Sequence, residues 1–285
     1  GGLGSDTFDY TNYTTAITVD LGAGTAQGVT GTFNRIENIA GGSAADNLTG
    51  DVGNNVLIGN GGDDTLAGGA GDDTYLFTAN WGLNDLVVEA AGAGNDTFDF
   101  SALVLDLTAI VNALIVTDGT NIVQHLAQSI ENLITGSGND QFVVEGNHTI
   151  NLASGTGDDT FIFNDAGTIT GSIQAGSGND ELNFSSSNTG RAVALTAINP
   201  ISGFDGILSG LTGGFTGIEI YAGSTAATDS LTGLNANSTN GTVSRKRRKL
   251  EQNGDINYFV SINRKSITRQ VYMIKFKIGI TRGQF

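Results

Sequence analysis

The chain has 285 residues, 43 of them Gly, with one Pro, no Cys and only 15% charged residues, which excludes a collagen, a disulfide scaffold and a charge-rich disordered polymer. The formal net charge of −16 is unevenly placed: Arg35 and Arg191 are the only cations in residues 1–242, against 27 acids, a balance of −25, whereas residues 243–285 hold 11 Lys and Arg against Glu251 and Asp255. A field of that sign over residues 1–242 disfavours nucleic acid and anionic membrane as partners and favours cations.

In chain order, the first pattern is GGLGSDTFD at 1–9. It returns without gaps at 41–76 as GGSAADNLT, GDVGNNVLI, GNGGDDTLA and GGAGDDTYL, and then as AGAGNDTFD (91–99), TGSGNDQFV (135–143), SGTGDDTFI (154–162) and AGSGNDELN (175–183). A Gly-rich start permits positive φ and close backbone approach in a tight turn. The sixth position is an acid (Asp6, Asp46, Asp64, Asp73, Asp96, Asp140, Asp159, Asp180) or, once, Asn55. The eighth is a large apolar residue such as Phe8, Leu66 or Phe161, which begins a short strand with its side chain inward. Where the strand runs on, a second large residue follows two positions later, as at Tyr10, Phe77, Phe100, Phe163 and Phe184.

A longer period surrounds the first. IENI (36–39), IENL (130–133) and GIEIY (217–221) recur, preceded by DTFDY (6–10), DTFDF (96–100) and DELNF (180–184), which gives three copies of one larger unit. Between Thr135 and Phe184 the copies are 19 and 21 residues apart, with a second short strand such as HTINL (148–152) between turns, so one coil takes about 20 residues.

These nonapeptides resemble the hemolysin-type calcium-binding repeats of repeats-in-toxin (RTX) proteins, G-G-x-G-x-D-x-U-x with U large and apolar; residues 1–9 and 68–76 match at every defined position. The resemblance implies an all-β fold, a right-handed parallel β-roll or β-helix solenoid, with two nonapeptides per coil and Ca²⁺ between turns on one edge. It predicts a solenoid over 1–242: a tandem roll at 41–76, longer coils at 91–184 and degenerate coils at 185–242. Turns eighteen residues apart then pair Asp46 with Asp64 and Asn55 with Asp73; Asp140, Asp159 and Asp180 form a further column, with Asp73 over Asp96. Ca²⁺ suits such turns because it takes six to eight oxygens at loose geometry, from carboxylates and exposed carbonyls together. The competing reading is a metal-free solenoid in which Gly-Asp and Gly-Asn are only good turn residues. Asp63, Asp72 and Asp158, at the fifth position, are expected to be solvated or to offer a carbonyl, and Asp20, Asp106 and Asp118 to lie on the surface.

No catalytic constellation stands out. His125 and His148 form no H-E-x-x-H, and neither a G-x-S-x-G elbow nor a phosphate loop is present. Both histidines are expected at the surface or in strands, and Trp81 in loop packing, with glycan contact as the other reading. The stretch 102–116 is interrupted by Asp106 and Asn112 and is shorter than the roughly 20 apolar residues of a membrane span.

Residues 243–285 break with this composition: they contain every Lys and no Ala. RKRRK (245–249) could be a nucleic-acid patch, but the acidic remainder opposes it. Alternation of Tyr272, Ile274, Phe276, Ile278 and Ile280 suits a capping strand, and an out-of-frame end fits equally. The chain begins inside a repeat without Met, as a piece of a longer protein would. The expectation is therefore a non-enzymatic, calcium-binding structural solenoid of a secreted or surface-attached bacterial protein, exported by a type I route. Its partners would be calcium ions and a cell-surface, glycan or matrix component, as for an adhesin. The other reading is an accessory region of a secreted enzyme or toxin.

Overall fold

A computed structural model describes residues 1–125, 127, 129–199, 202–225, 229–232, 243–247 and 258–262. Each tandem nonapeptide contributes one three-residue strand, because its Gly-rich half turns while its x-U-x half can extend. The strands are Asn47–Thr49, Val56–Ile58, Thr65–Ala67 and Thr74–Leu76, and their central residues Leu48, Leu57, Leu66 and Tyr75 are fully buried. Alternate strands belong to different sheets. Asn47–Thr49 pairs in parallel with Thr65–Ala67, setting Leu48 beside Leu66, and Val56–Ile58 pairs with Thr74–Leu76, setting Leu57 beside Tyr75. One coil is thus two nonapeptides, and the expected all-β parallel roll is the fold.

The first sheet has fourteen strands and the second twelve. The longer copies enter the same ladders: Thr97–Asp99 pairs with Thr74–Leu76 and Asn132–Ile134, and Gln141–Val144, Thr160–Phe163 and Glu181–Asn183 stack in the second sheet. Apolar side chains pointing inward from both sheets form one continuous core. Aromatic rungs repeat within it. Phe142 and Phe161 stack at 4.8 Å and 10°, Phe163 and Phe184 at 5.1 Å and 27°, and Phe77 and Phe100 at 4.4 Å and 10°. Each such pair contributes about 0.5–1.5 kcal/mol beyond its buried area.

Several segments leave the parallel pattern, beginning with Thr18–Asp20, which pairs antiparallel with Thr25–Ala26. Ile115–Thr117 and Ile122–Gln124 form an antiparallel hairpin inserted in the second sheet, where Asp118 accepts from the Thr120 and Asn121 amides and Gly119 takes φ +91°. Further on, the short degenerate coils expected over 185–242 are replaced by longer antiparallel strands, Ala192–Asn199, Gly203–Leu208 and Leu211–Ile218. The physical reason is local. These runs lack a Gly-Asp turn every nine residues, so extension continues until Gly203 or Gly210 supplies a left-handed turn. The parallel ladder resumes at Ile220–Ala222 against Glu181–Asn183. In the basic end, Val243–Arg247 pairs antiparallel with Tyr258–Ile262, and the alternation at 272–280 lies outside the described residues.

Candidate metal centre

Register between coils brings the sixth-position residues into two columns. In the second-sheet column the amide of Ile17 donates to Asp46 Oδ1 at 2.9 Å, that of Asp46 to Asp64 Oδ1 at 2.7 Å and that of Asp64 to Asp85 Oδ1 at 2.9 Å. Past the hairpin the pattern restarts: Leu107 to Asp140 at 2.8 Å, Asp140 to Asp159 at 2.7 Å and Asp159 to Asp180 at 2.9 Å. In the first-sheet column Asn55 donates to Asp73 Oδ1 at 2.7 Å and Asp73 to Asp96 Oδ1 at 2.8 Å. The pairings Asp46–Asp64, Asn55–Asp73, Asp73–Asp96 and Asp140–Asp159–Asp180 are those expected from spacing.

The ladder satisfies one oxygen of each acid and leaves a question about the other. Oδ2 of Asp64, Asp73, Asp140, Asp159 and Asp180 is buried without a hydrogen-bond partner. A buried, unpaired charged oxygen is costly. Burial accordingly raises these carboxyls above the ordinary range: Asp64 and Asp73 to about 7, Asp159 to about 6, Asp180 to about 8, and Asp140 in the same direction. Asp85 and Asp96 are likewise pushed to about 6. The glycines complete the cradle. A Cβ on Gly41 would lie 2.6 Å from both Asp46 Oδ2 and the Gly59 carbonyl, and one on Gly59 or Gly68 would collide with the Asp64 or Asp73 carboxylate. At the fourth position Gly62 and Gly71, at φ +123° and +107°, need the left-handed conformation itself.

Three sequence-derived candidates fare differently. Asp46 has both oxygens engaged, the second by the Gly42 amide at 2.6 Å, and Asp6 Oδ2 likewise accepts from Gly2 at 2.6 Å. Asn55 is held by protein groups on both sides: Oδ1 accepts from the Asp51 amide and Nδ2 donates to the Glu37 carbonyl, each at 2.8 Å. That carbonyl explains the Asn. A carboxylate there would meet an oxygen instead of a donor, so the column carries no charge at Asn55.

Other members escaped the sequence reading. Glu37, Glu131 and Glu219 occupy the sixth position of their own coils, and the amides of Asp6, Asp96 and Asp180 donate to their Oε2 atoms at 2.8 Å in all three. Asp85 ends one column, and Asp229 accepts from the Arg191 amide at 2.8 Å. Each keeps the acid-x-apolar spacing (Glu37-Asn38-Ile39, Asp85-Leu86-Val87, Asp229-Ser230-Leu231), and all but Glu219, which follows Gly214 and Gly217, lack the Gly-rich start. The fifth position forms an outer ladder: Asn95 donates to Asp72, Asn139 to Asp106, Asp158 to Asn139 and Asn179 to Asp158, at 2.7–2.9 Å. Asp106, although at the surface, is therefore part of the frame.

Residues 40–75 match the RTX calcium-binding nonapeptide repeat in four copies. Residues 40–75 are RTX calcium-binding repeats. Residues 72–171 match the Peptidase M10 serralysin C-terminal family, and no curated protein sequence matches the chain. RTX nonapeptides are calcium-binding motifs, and the residues present here fit that ion: hard anionic oxygens, half satisfied, beside unshielded carbonyls. The remaining candidates are packed in the core. His125 is 1% exposed, its Nδ1 3.1 Å from the Val87 carbonyl and its Nε2 2.8 Å from Ser129 Oγ; His148 is also buried. Of the two placements expected, surface or strand, His148 takes the second, within the strand Asn147–Thr149, and His125 directly follows the strand Ile122–Gln124; neither is at the surface. Trp81 is 4% exposed and packs on Phe77 and Phe100, leaving no face for a glycan. Among the described residues no helix is long and apolar enough to cross a membrane.

Proposed function

We infer that residues 1–242 are a calcium-stabilised structural solenoid of a secreted or surface-attached bacterial protein, an adhesin or matrix component, exported unfolded by a type I route and folded outside the cell. The observation that carries this reading is the set of buried Oδ2 atoms left without partners along columns of stacked acids. Without an ion these coils repel one another, and each contacts only its neighbours, so millimolar extracellular Ca²⁺ stabilises the fold by mass action. The test is a Ca²⁺ titration of the full chain and of a variant carrying Asp64→Ala and Asp73→Ala, followed by circular dichroism. The variant is expected to need at least tenfold more Ca²⁺ at its midpoint, about 1.4 kcal/mol; an unchanged midpoint would remove the columns from the mechanism.

A second reading, the accessory region of a secreted enzyme, is favoured by the serralysin C-terminal match at 72–171. The buried, engaged histidines support a non-catalytic role for this chain. The full chain, folded with Ca²⁺ and supplied with Zn²⁺, is expected to leave casein intact. Cleavage abolished by a zinc chelator would replace the structural reading with a catalytic one.

A further inference from the structure

One group of acids departs from the two-column arrangement. Asp73, Glu89 and Asp96 bring carboxylate oxygens within 4.8 Å of one another, and all three side chains are buried, at 1%, 6% and 1% exposure. Asp73 and Asp96 are successive rungs of the first-sheet column. Glu89 belongs to no nonapeptide: it lies in the extra residues between the strands Asp85–Val87 and Thr97–Asp99, where the coil lengthens from 18 to 23 residues between rungs. Its position is fixed. Oε1 accepts from the Ala90 amide at 2.9 Å and Oε2 accepts the hydroxyl proton of Tyr75, whose oxygen in turn accepts from the Gly68 amide at 2.7 Å.

The second observation is that Asp73 Oδ2 is buried with no partner, inside this group and beside Gly68. No basic side chain of residues 1–242 neutralises it: Arg35 is exposed, and Arg191 donates to the carbonyls of Asn164, Asp165 and Gly167. We propose that Asp73, Glu89 and Asp96 form a three-carboxylate site for a hard cation, in which Glu89 supplies a third charge from outside the repeat. The proposal rests on the calcium reading of the columns and adds a site of different composition to them. Three carboxylates around one ion bind Ca²⁺ more tightly than a two-acid step and favour a trivalent lanthanide more strongly still.

The test counts ions on the full chain by native mass spectrometry at fixed free Ca²⁺ and measures Tb³⁺ and Ca²⁺ affinities by titration, for wild type and Glu89→Gln. Gln keeps an acceptor for Tyr75 and removes the charge. One fewer ion, at least tenfold weaker binding of that ion and a lower Tb³⁺ to Ca²⁺ affinity ratio are expected; a purely structural Glu89 would leave the ratio unchanged. If Glu89→Gln does not fold, Glu89→Asp, which keeps the charge but withdraws it by one methylene, is expected to retain the ion with reduced affinity, and unaltered binding would overturn the site. An unchanged ion count in Glu89→Gln with Ca²⁺-dependent folding intact overturns this site alone. A wild-type chain that binds no ion overturns the columns as well.

Discussion

Stripped of divalent ions at pH 7.5, the full chain is expected to lose most of its β-sheet circular dichroism and to expand in solution, and to regain both on addition of millimolar Ca²⁺. The effect should be nearly all-or-none over the tandem coils, because the buried acids form unbroken series from Asp46 through Asp64 to Asp85 and from Asp140 through Asp159 to Asp180. Each step sets ionisable oxygens near the next with no lysine or arginine between them. Mg²⁺ at the same concentration should restore little, since its small octahedral shell dehydrates reluctantly and fits poorly among loose carbonyl turns. Scattering and circular dichroism recorded together decide the matter. A full-strength β signal in chelator, indifferent to either ion, would leave an ordinary solenoid.

The second large effect is on pH. In the metal-free protein, burial raises Asp64 and Asp73 to about 7, Asp159 to about 6 and Asp180 to about 8, above their ordinary value of 3.8. A carboxyl whose pKa is higher folded than unfolded favours folding while it is protonated. That contribution is fully present below about pH 4 and is lost as pH rises through 6 to 8. The metal-free chain should therefore resist urea best near pH 4 and least near pH 8, the reverse of ordinary acid denaturation. With Ca²⁺ the trend inverts, because the ion requires the ionised form and competes with protons for the same oxygens. Urea midpoints at several pH values, with and without Ca²⁺, test both signs; a metal-free chain weakest at pH 4 would refute the account. Calcium binding at pH 7 should also release protons, measurable by calorimetry in buffers of different ionisation enthalpy.

Much of this was legible in the residues because the nine-residue period fixes strand, turn and edge together. Leu48 lies beside Leu66 and Asp46 beside Asp64 for the same reason: eighteen residues return the chain to the same sheet. The Glu members of the columns were hidden by chemistry. Glu37, Glu131 and Glu219 are one methylene longer, the first two lack the glycines before them, and the backbone amides of all three turn back to the Asp6, Asp96 and Asp180 carbonyls, so their likeness to the sixth-position Asp rests mainly on acid-x-apolar spacing. Glu89 carries no repeat signal; only the fold brings it to Asp73 and Asp96. The antiparallel strands between Ala192 and Ile218 were likewise unreadable from a nine-residue frame, because strand length there is set by where glycine next permits a reversal.

The hairpin at Ile115–Gln124 interrupts the second-sheet column between Asp85 and Asp140. Inter-strand hydrogen bonds join each coil to the next, so tension applied between the two ends loads the coils in series. This seam lacks the stacked acids of its neighbours, so once Ca²⁺ is bound it is expected to yield under load before the Asp46–Asp85 and Asp140–Asp180 blocks do, with the first-sheet ladder running on beside it.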